Sequence, residues 1–177
     1  MSVAGPPDDA GPPRADAPAA GERTPPVIHG RCLCGAVAFR VLGALGPVVL
    51  CHCSQCRRAS GSAYSPNASI DDAQFRLDRG AGAVREHESS PGKVRAFCGQ
   101  CGSPLWAARP GTGTRRVRIG VLVDPPPVKV AAHIYADARA AWEPIEEHLP
   151  RWPAGPPPKL VATASGAGAY QRDPPTS

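Results

Sequence analysis

Large side chains are scarce in this sequence: 177 residues include only nine aromatics, three each of Phe, Tyr and Trp, and one methionine. A core built mainly from aromatic bulk is therefore excluded, and a domain this poor in large residues gains from an additional staple. Long hydrophobic runs are missing too. The longest charge-free apolar stretch, Val41 to Cys53, is interrupted by Gly43, Gly46 and Pro47 and is too short to span a bilayer. The N-terminus carries Asp8, Asp9 and Asp16 with no apolar block, which does not fit a secretory signal. The cytoplasm is the expected compartment, with no membrane association. No internal repeat is found. Gly111-Thr112-Gly113 runs into Thr114-Arg115 without the lysine of a phosphate-binding loop.

Proline and glycine, by contrast, are plentiful and concentrated at the ends. Residues 1–26 contain seven Pro, six Ala and three Gly, and residues 153–177 contain six Pro, five Ala and three Gly. Such stretches bury too little apolar surface to offset chain entropy, so both are expected to be disordered tails. One domain over 27–152 remains. Within it the pattern is of short strands. Val37, Phe39 and Val41 alternate with smaller or charged residues, and Val48 to Cys51 is a second apolar run. Val84 to Glu88 and Lys93 to Phe97 flank Ser89-Ser90-Pro91-Gly92 as a hairpin. Arg116 to Leu122 reads as a strand stopped at Asp124 and the prolines after it, and Ala131 to Tyr135 as another. Short helices are expected from a Ser54 cap through Arg58, and from Glu143 to His148. The domain is mainly β, with few short helices.

The seven cysteines form three clusters: Cys32-Leu33-Cys34-Gly35, Cys51-His52-Cys53-Ser54-Gln55-Cys56, and Cys98-Gly99-Gln100-Cys101-Gly102. An odd number of clustered thiols, without a secretory signal, points to metal chemistry rather than a disulfide framework. Zinc takes four tetrahedral ligands, and a C-x-x-C turn followed by glycine delivers two of them on one side of the ion. Cys98 and Cys101 make such a knuckle and need two further ligands. Cys51 and Cys53 could complete it. The more economical division keeps Cys51, Cys53 and Cys56 as one site and assigns Cys32 and Cys34 to the knuckle. A four-cysteine site is closed and structural, whereas a three-cysteine site leaves a position for substrate.

His52, between two cysteines of an extended segment, should point away from both and pack elsewhere. Arg57 and Arg58 directly follow the trio; they could neutralise a zinc trithiolate or grip a substrate carboxylate, or simply be solvated. His29, His87, His133 and His148 stand singly, and Ser60 and Ser65 show no base partner. Seven thiolates and two Zn²⁺ would bring the formal charge of +5 down to +2. Of the basic residues, Arg116 and Arg118 would share one strand face, expected to be solvated, and no nucleic-acid partner is indicated.

The order G-x-C-x-C-G-x-V (Gly30 to Val37), CHCSQCRRASG (Cys51 to Gly61) and FCGQCGSPLW (Phe97 to Trp106) resembles the glutathione-dependent formaldehyde-activating enzyme family, which includes centromere protein V. The likeness continues through IGVLVDP, HIYADARAAW and HLPRW, to Trp152. It implies a tent-like arrangement of twisted antiparallel sheets. It also implies a structural zinc on Cys32, Cys34, Cys98 and Cys101, and a catalytic zinc on Cys51, Cys53 and Cys56. The implied reaction joins a thiol, glutathione, to an aldehyde, formaldehyde, and is a carbon–sulfur lyase reaction in its formal direction. The alternative is a non-catalytic zinc module for protein partners, as in the centromeric relative.

Overall fold

The computed structural model describes residues 26–123, 128–145 and 148–162. Eleven strands and one α-helix are found among them. A three-stranded antiparallel sheet has the order β1-β2-β5, formed by Val27–Arg31, Ala38–Leu42 and Phe75–Arg79. The second sheet has eight strands. Across it run β11 (Arg151–Trp152), β10 (Val130–Ile134), β3 (Val48–Cys51), β4 (Ser65–Asp71), β9 (Thr114–Arg118), β8 (Pro104–Ala108), β7 (Lys93–Cys98) and β6 (Val84–Ser90). This sheet is mixed rather than purely antiparallel, because β10 runs parallel to both β3 and β11.

The alternation in β2 buries Phe39 and Val41 on one face, and β3 is buried along its whole length because strands flank it on both sides. The few aromatics are spent together: Phe39, Phe75 and Trp106 stack with centroids 4.8–5.9 Å apart. Gly30 lies against the Phe39 ring so closely that a Cβ there would overlap it. This core, which also contains Cys32 and Cys98, lies between the two sheets.

Several local expectations change. The β6–β7 turn is only Pro91-Gly92, with Ser90 paired to Lys93 and Gly92 at φ +71°. The strand expected over Arg116 to Leu122 stops at Arg118 and gives way to a 3₁₀ turn, Ile119–Val121. Its expected stop at 124–127 lies outside the described residues. The helix begins at Ser54, but its cap is Cys53, whose Sγ accepts from the Cys56 N–H, and it continues to Ser60. Residues 143–145 are irregular, since Pro144 restricts Glu143 away from helical geometry; 146 and 147 lie outside the described residues. Past Trp152, where the domain was expected to end, residues 153–162 are placed on the domain. Ala154 O accepts from the Tyr135 N–H at 2.9 Å, Val161 is buried, and Leu160 packs beside Ile134.

Candidate metal centre

The seven cysteines are all free thiols and gather into two groups. Cys32 and Cys34 lie in the turn after β1, Cys98 ends β7, and Cys101 lies in the turn before β8. Both turns close through left-handed glycines, Gly35 at φ +77° and Gly102 at φ +76°, whose N–H groups bond back to Cys32 O and Cys98 O. The sulfur of Cys34 is 3.5 Å from that of Cys32 and 3.8 Å from that of Cys98. Zinc–sulfur bonds of about 2.3 Å would set tetrahedral sulfurs about 3.8 Å apart. The donor set and its spacing therefore fit a metal ion, and in this group all four sulfurs lie within 4.8 Å of one another. Crowding moves thiols of this group in opposite directions. The Ser103 hydroxyl leads in holding Cys101 down to about 5, and Cys34 is pushed up to about 12 by Cys101 and Cys32 against the opposing Ala36 N–H.

Cys51, Cys53 and Cys56 form the second group, also within 4.8 Å. Cys51 ends the central strand β3, Cys53 caps the helix and Cys56 lies in its first turn, so a strand end and a helix start fold three sulfurs onto one point. Cys51 Sγ is 3.6 Å from Cys53 Sγ. Hydrogen bonds from the Cys51 and Cys53 thiols hold Cys56 far below the ordinary thiol range, and the Arg95 and Arg118 charges add to this. The same sharing pushes Cys51 well up, and Cys53 is raised as well, through Cys56 and burial, against the bond from Cys51. An apolar wall of Val49, Ile134, Tyr135, Trp152 and Leu160 surrounds the trio. Tyr135 adopts φ +54°, an uncommon conformation for a bulky residue, directly after Ile134, which is paired with Cys51.

His52 is fully buried and points away from the trio, its Nε2 2.8 Å from Nδ1 of His133, another buried residue. Burial, followed by the neighbouring His133, Arg57 and Arg139 charges, pushes it down to about 4, so the ring is neutral at neutral pH. His29, His87 and His148 are exposed and belong to neither group. Arg58 is exposed, and Arg57 Nε donates to His52 O at 3.1 Å, a local brace.

The guanidinium groups that do meet the trio were not singled out for that role in the sequence. Arg95 Nη1 and Nη2 donate to Cys56 Sγ at 3.9 and 3.8 Å. Arg118, expected on a solvated face, is buried instead, because β9 is an interior strand and pairs Arg118 with Asn67. Its Nη1 donates to Asn67 Oδ1 and to Ser65 Oγ, the latter at 2.7 Å, and Ser65 is paired with Cys51. Ser65 is thereby occupied as an acceptor. The strand pattern held no signal for either arginine; only the pairing of distant strands brings them in.

A family model described as glutathione-dependent formaldehyde-activating enzyme matches residues 27–138. A Halomonas elongata protein, named as a candidate glutathione-dependent formaldehyde-activating enzyme, is 38% identical over 92 residues, 48% of this chain and 57% of its own length. The aligned part thus spans little more than half of that relative. A crystal structure of a Rhodobacter sphaeroides protein matches with a TM-score of 0.48 at 26% identity, over 56% of this chain and 91% of that one. The family match covers the greater part of the chain and includes every cysteine of both groups, and the chain belongs to the glutathione-dependent formaldehyde-activating enzyme family.

Proposed function

We propose that the chain is a zinc enzyme that adds a thiol such as glutathione to an aldehyde such as formaldehyde, a carbon–sulfur lyase in the formal direction. The observation that carries this reading is the trio itself: among the described residues Cys51, Cys53 and Cys56 converge without a fourth cysteine, histidine or carboxylate in their group. Three thiolates in a largely buried, apolar-walled corner suit a zinc ion with one position left for substrate, whereas the four-cysteine group suits a closed structural ion. Zinc at the trio would supply Lewis acidity and favour the thiolate form of an incoming thiol. The chain's own residues do the rest. The Cys53 cap and the buried Cys56 fix the sulfurs on a helix start, the His52–His133 bond fixes the backbone between Cys51 and Cys53, and the apolar wall limits water. In the overall addition the sulfur–carbon bond forms, the carbonyl π bond opens, and the thiol proton ends on the new hydroxyl. Such chemistry, with seven reduced cysteines, suits the cytoplasm.

The test has two parts. Protein prepared without chelator should carry close to two zinc ions per chain by elemental analysis, one for each cysteine group. With zinc bound, S-hydroxymethylglutathione should form faster than in the uncatalysed reaction, which is subtracted, and Cys56→Ser should abolish the excess rate. Zinc-loaded protein without any rate enhancement over a panel of thiols and aldehydes would favour the binding-module alternative.

A further inference from the structure

Two guanidinium groups are buried beside the cysteine trio, and among the described residues neither is paired with a carboxylate. Arg95 is 7% exposed and Arg118 5% exposed. Their oxygen partners are neutral: Ser89 Oγ for Arg95 Nε at 2.8 Å, and Ser65 Oγ and Asn67 Oδ1 for Arg118 Nη1. Arg118 Nε is buried with no hydrogen-bond partner among the described residues. Two uncompensated cations in a protein interior are strongly unfavourable unless negative charge lies close by. The negative charge within reach is on the trio: both terminal nitrogens of Arg95 are directed at Cys56 Sγ, and Arg118 is bonded to Ser65, opposite Cys51.

The charges can be counted. Three thiolates and a divalent ion sum to −1, against +2 on the arginines. A neutral fourth ligand leaves +1 buried, and an anionic one brings the corner to neutrality. Resting on the reading of the trio as a metal site open to a thiol, we propose that Arg95 and Arg118 are its specificity-determining pair, selecting an anionic sulfur ligand over neutral donors. A thiol entering this corner binds as thiolate and leaves its proton to solvent. The soft sulfur set favours sulfur among anions, and the guanidinium pair favours anions among sulfur and nitrogen donors.

The test uses the full chain loaded with cobalt(II), whose visible absorption reports changes in the ligand set. Wild type, Arg95→Gln, Arg118→Gln and Arg95→Lys are each titrated with 2-mercaptoethanol and, separately, with imidazole. Added ligand changes the spectrum only where a coordination position is open, so the closed four-cysteine group stays silent. Loss of either guanidinium should weaken thiol binding roughly thirtyfold or more, while imidazole affinity changes little. Arg95→Lys, which keeps the charge, should recover most of the thiol affinity. If Arg118→Gln does not fold, the two Arg95 variants decide. Unchanged thiol affinity in Arg95→Gln, or equal weakening for thiol and imidazole, overturns the proposal and leaves the metal reading intact. A wild-type protein whose trio takes up no cobalt overturns both, and this is read before any thiol is added.

Discussion

Cys51 and Cys53 hold their protons more tightly than an ordinary thiol, while Cys56 gives its proton up far more readily. At neutral pH the metal-free trio therefore carries one thiolate and two thiols, and metal uptake must expel the remaining two protons. Since both raised groups must deprotonate to bind, apparent affinity is lost as pH falls and rises by about two log units per pH unit near neutrality. Calorimetry in buffers of different ionisation enthalpy, on protein whose four-cysteine group is already filled, should give a release of about two protons. A second residue-scale outcome concerns Gly30. A Cβ there would collide with Phe39, which is fully buried and stacked on Phe75, so Gly30→Ala should cost about 1–3 kcal/mol in urea unfolding. The clustering of the cysteines was legible from C-x-C and C-x-x-C spacing because those spacings are local. Arg95 and Arg118 were not, because each reaches the trio through a strand distant in sequence, and His133 reaches His52, on the side away from the trio, in the same way.

Among the elements, those with their own local pattern were read close to their true bounds: β2 from its alternation, β3 from its apolar run, and the β6–β7 hairpin from Pro-Gly. Strand β4, Ser65–Asp71, has no such pattern. Its only large apolar residue in SPNASID is Ile70, yet it is mostly buried because β3 and β9 pair on either side of it. Tertiary pairing supplies what propensity does not. Residues 153–162, expected as part of a disordered tail, are placed on the domain for a related reason: a Pro/Ala-rich stretch has little to bury, but a few contacts suffice when a wall needs covering. Shortening the chain to end at 152 removes the Tyr135–Ala154 hydrogen bond and the packing of Leu160 and Val161. Compared with a chain ending at 162, it should lose about 2–4 kcal/mol by urea unfolding, from one hydrogen bond, the buried Val161 and the partly buried Leu160. Equal midpoints would show that this segment rests on the domain without supporting it.

At the scale of the molecule the two cysteine groups are placed very differently. The trio joins residues five positions apart or fewer and sits at one strand end, so its ion would order a corner. The four-cysteine group joins the turn after β1 to both ends of the β7–β8 turn, bringing together sulfurs 64 residues apart. Cys32 and Cys98 from this group are also core residues between the two sheets, packed in the same cluster as Phe39 and Trp106. Closing a long loop removes much of the freedom of the unfolded chain, and structural zinc binding contributes on the order of 10–16 kcal/mol to small domains. That is as large as the whole stability of an ordinary domain, about 5–15 kcal/mol. Cys101→Ser should therefore lose the cooperative thermal transition, or fail to yield soluble protein. Cys56→Ser should keep the far-ultraviolet circular dichroism and lower Tm by only a few degrees, while losing about one metal ion per chain. Circular dichroism and metal content on the two variants decide the matter. Equal collapse of both would mean that the trio also holds the sheets together, and a corner needed for folding would have little freedom left to exchange ligands.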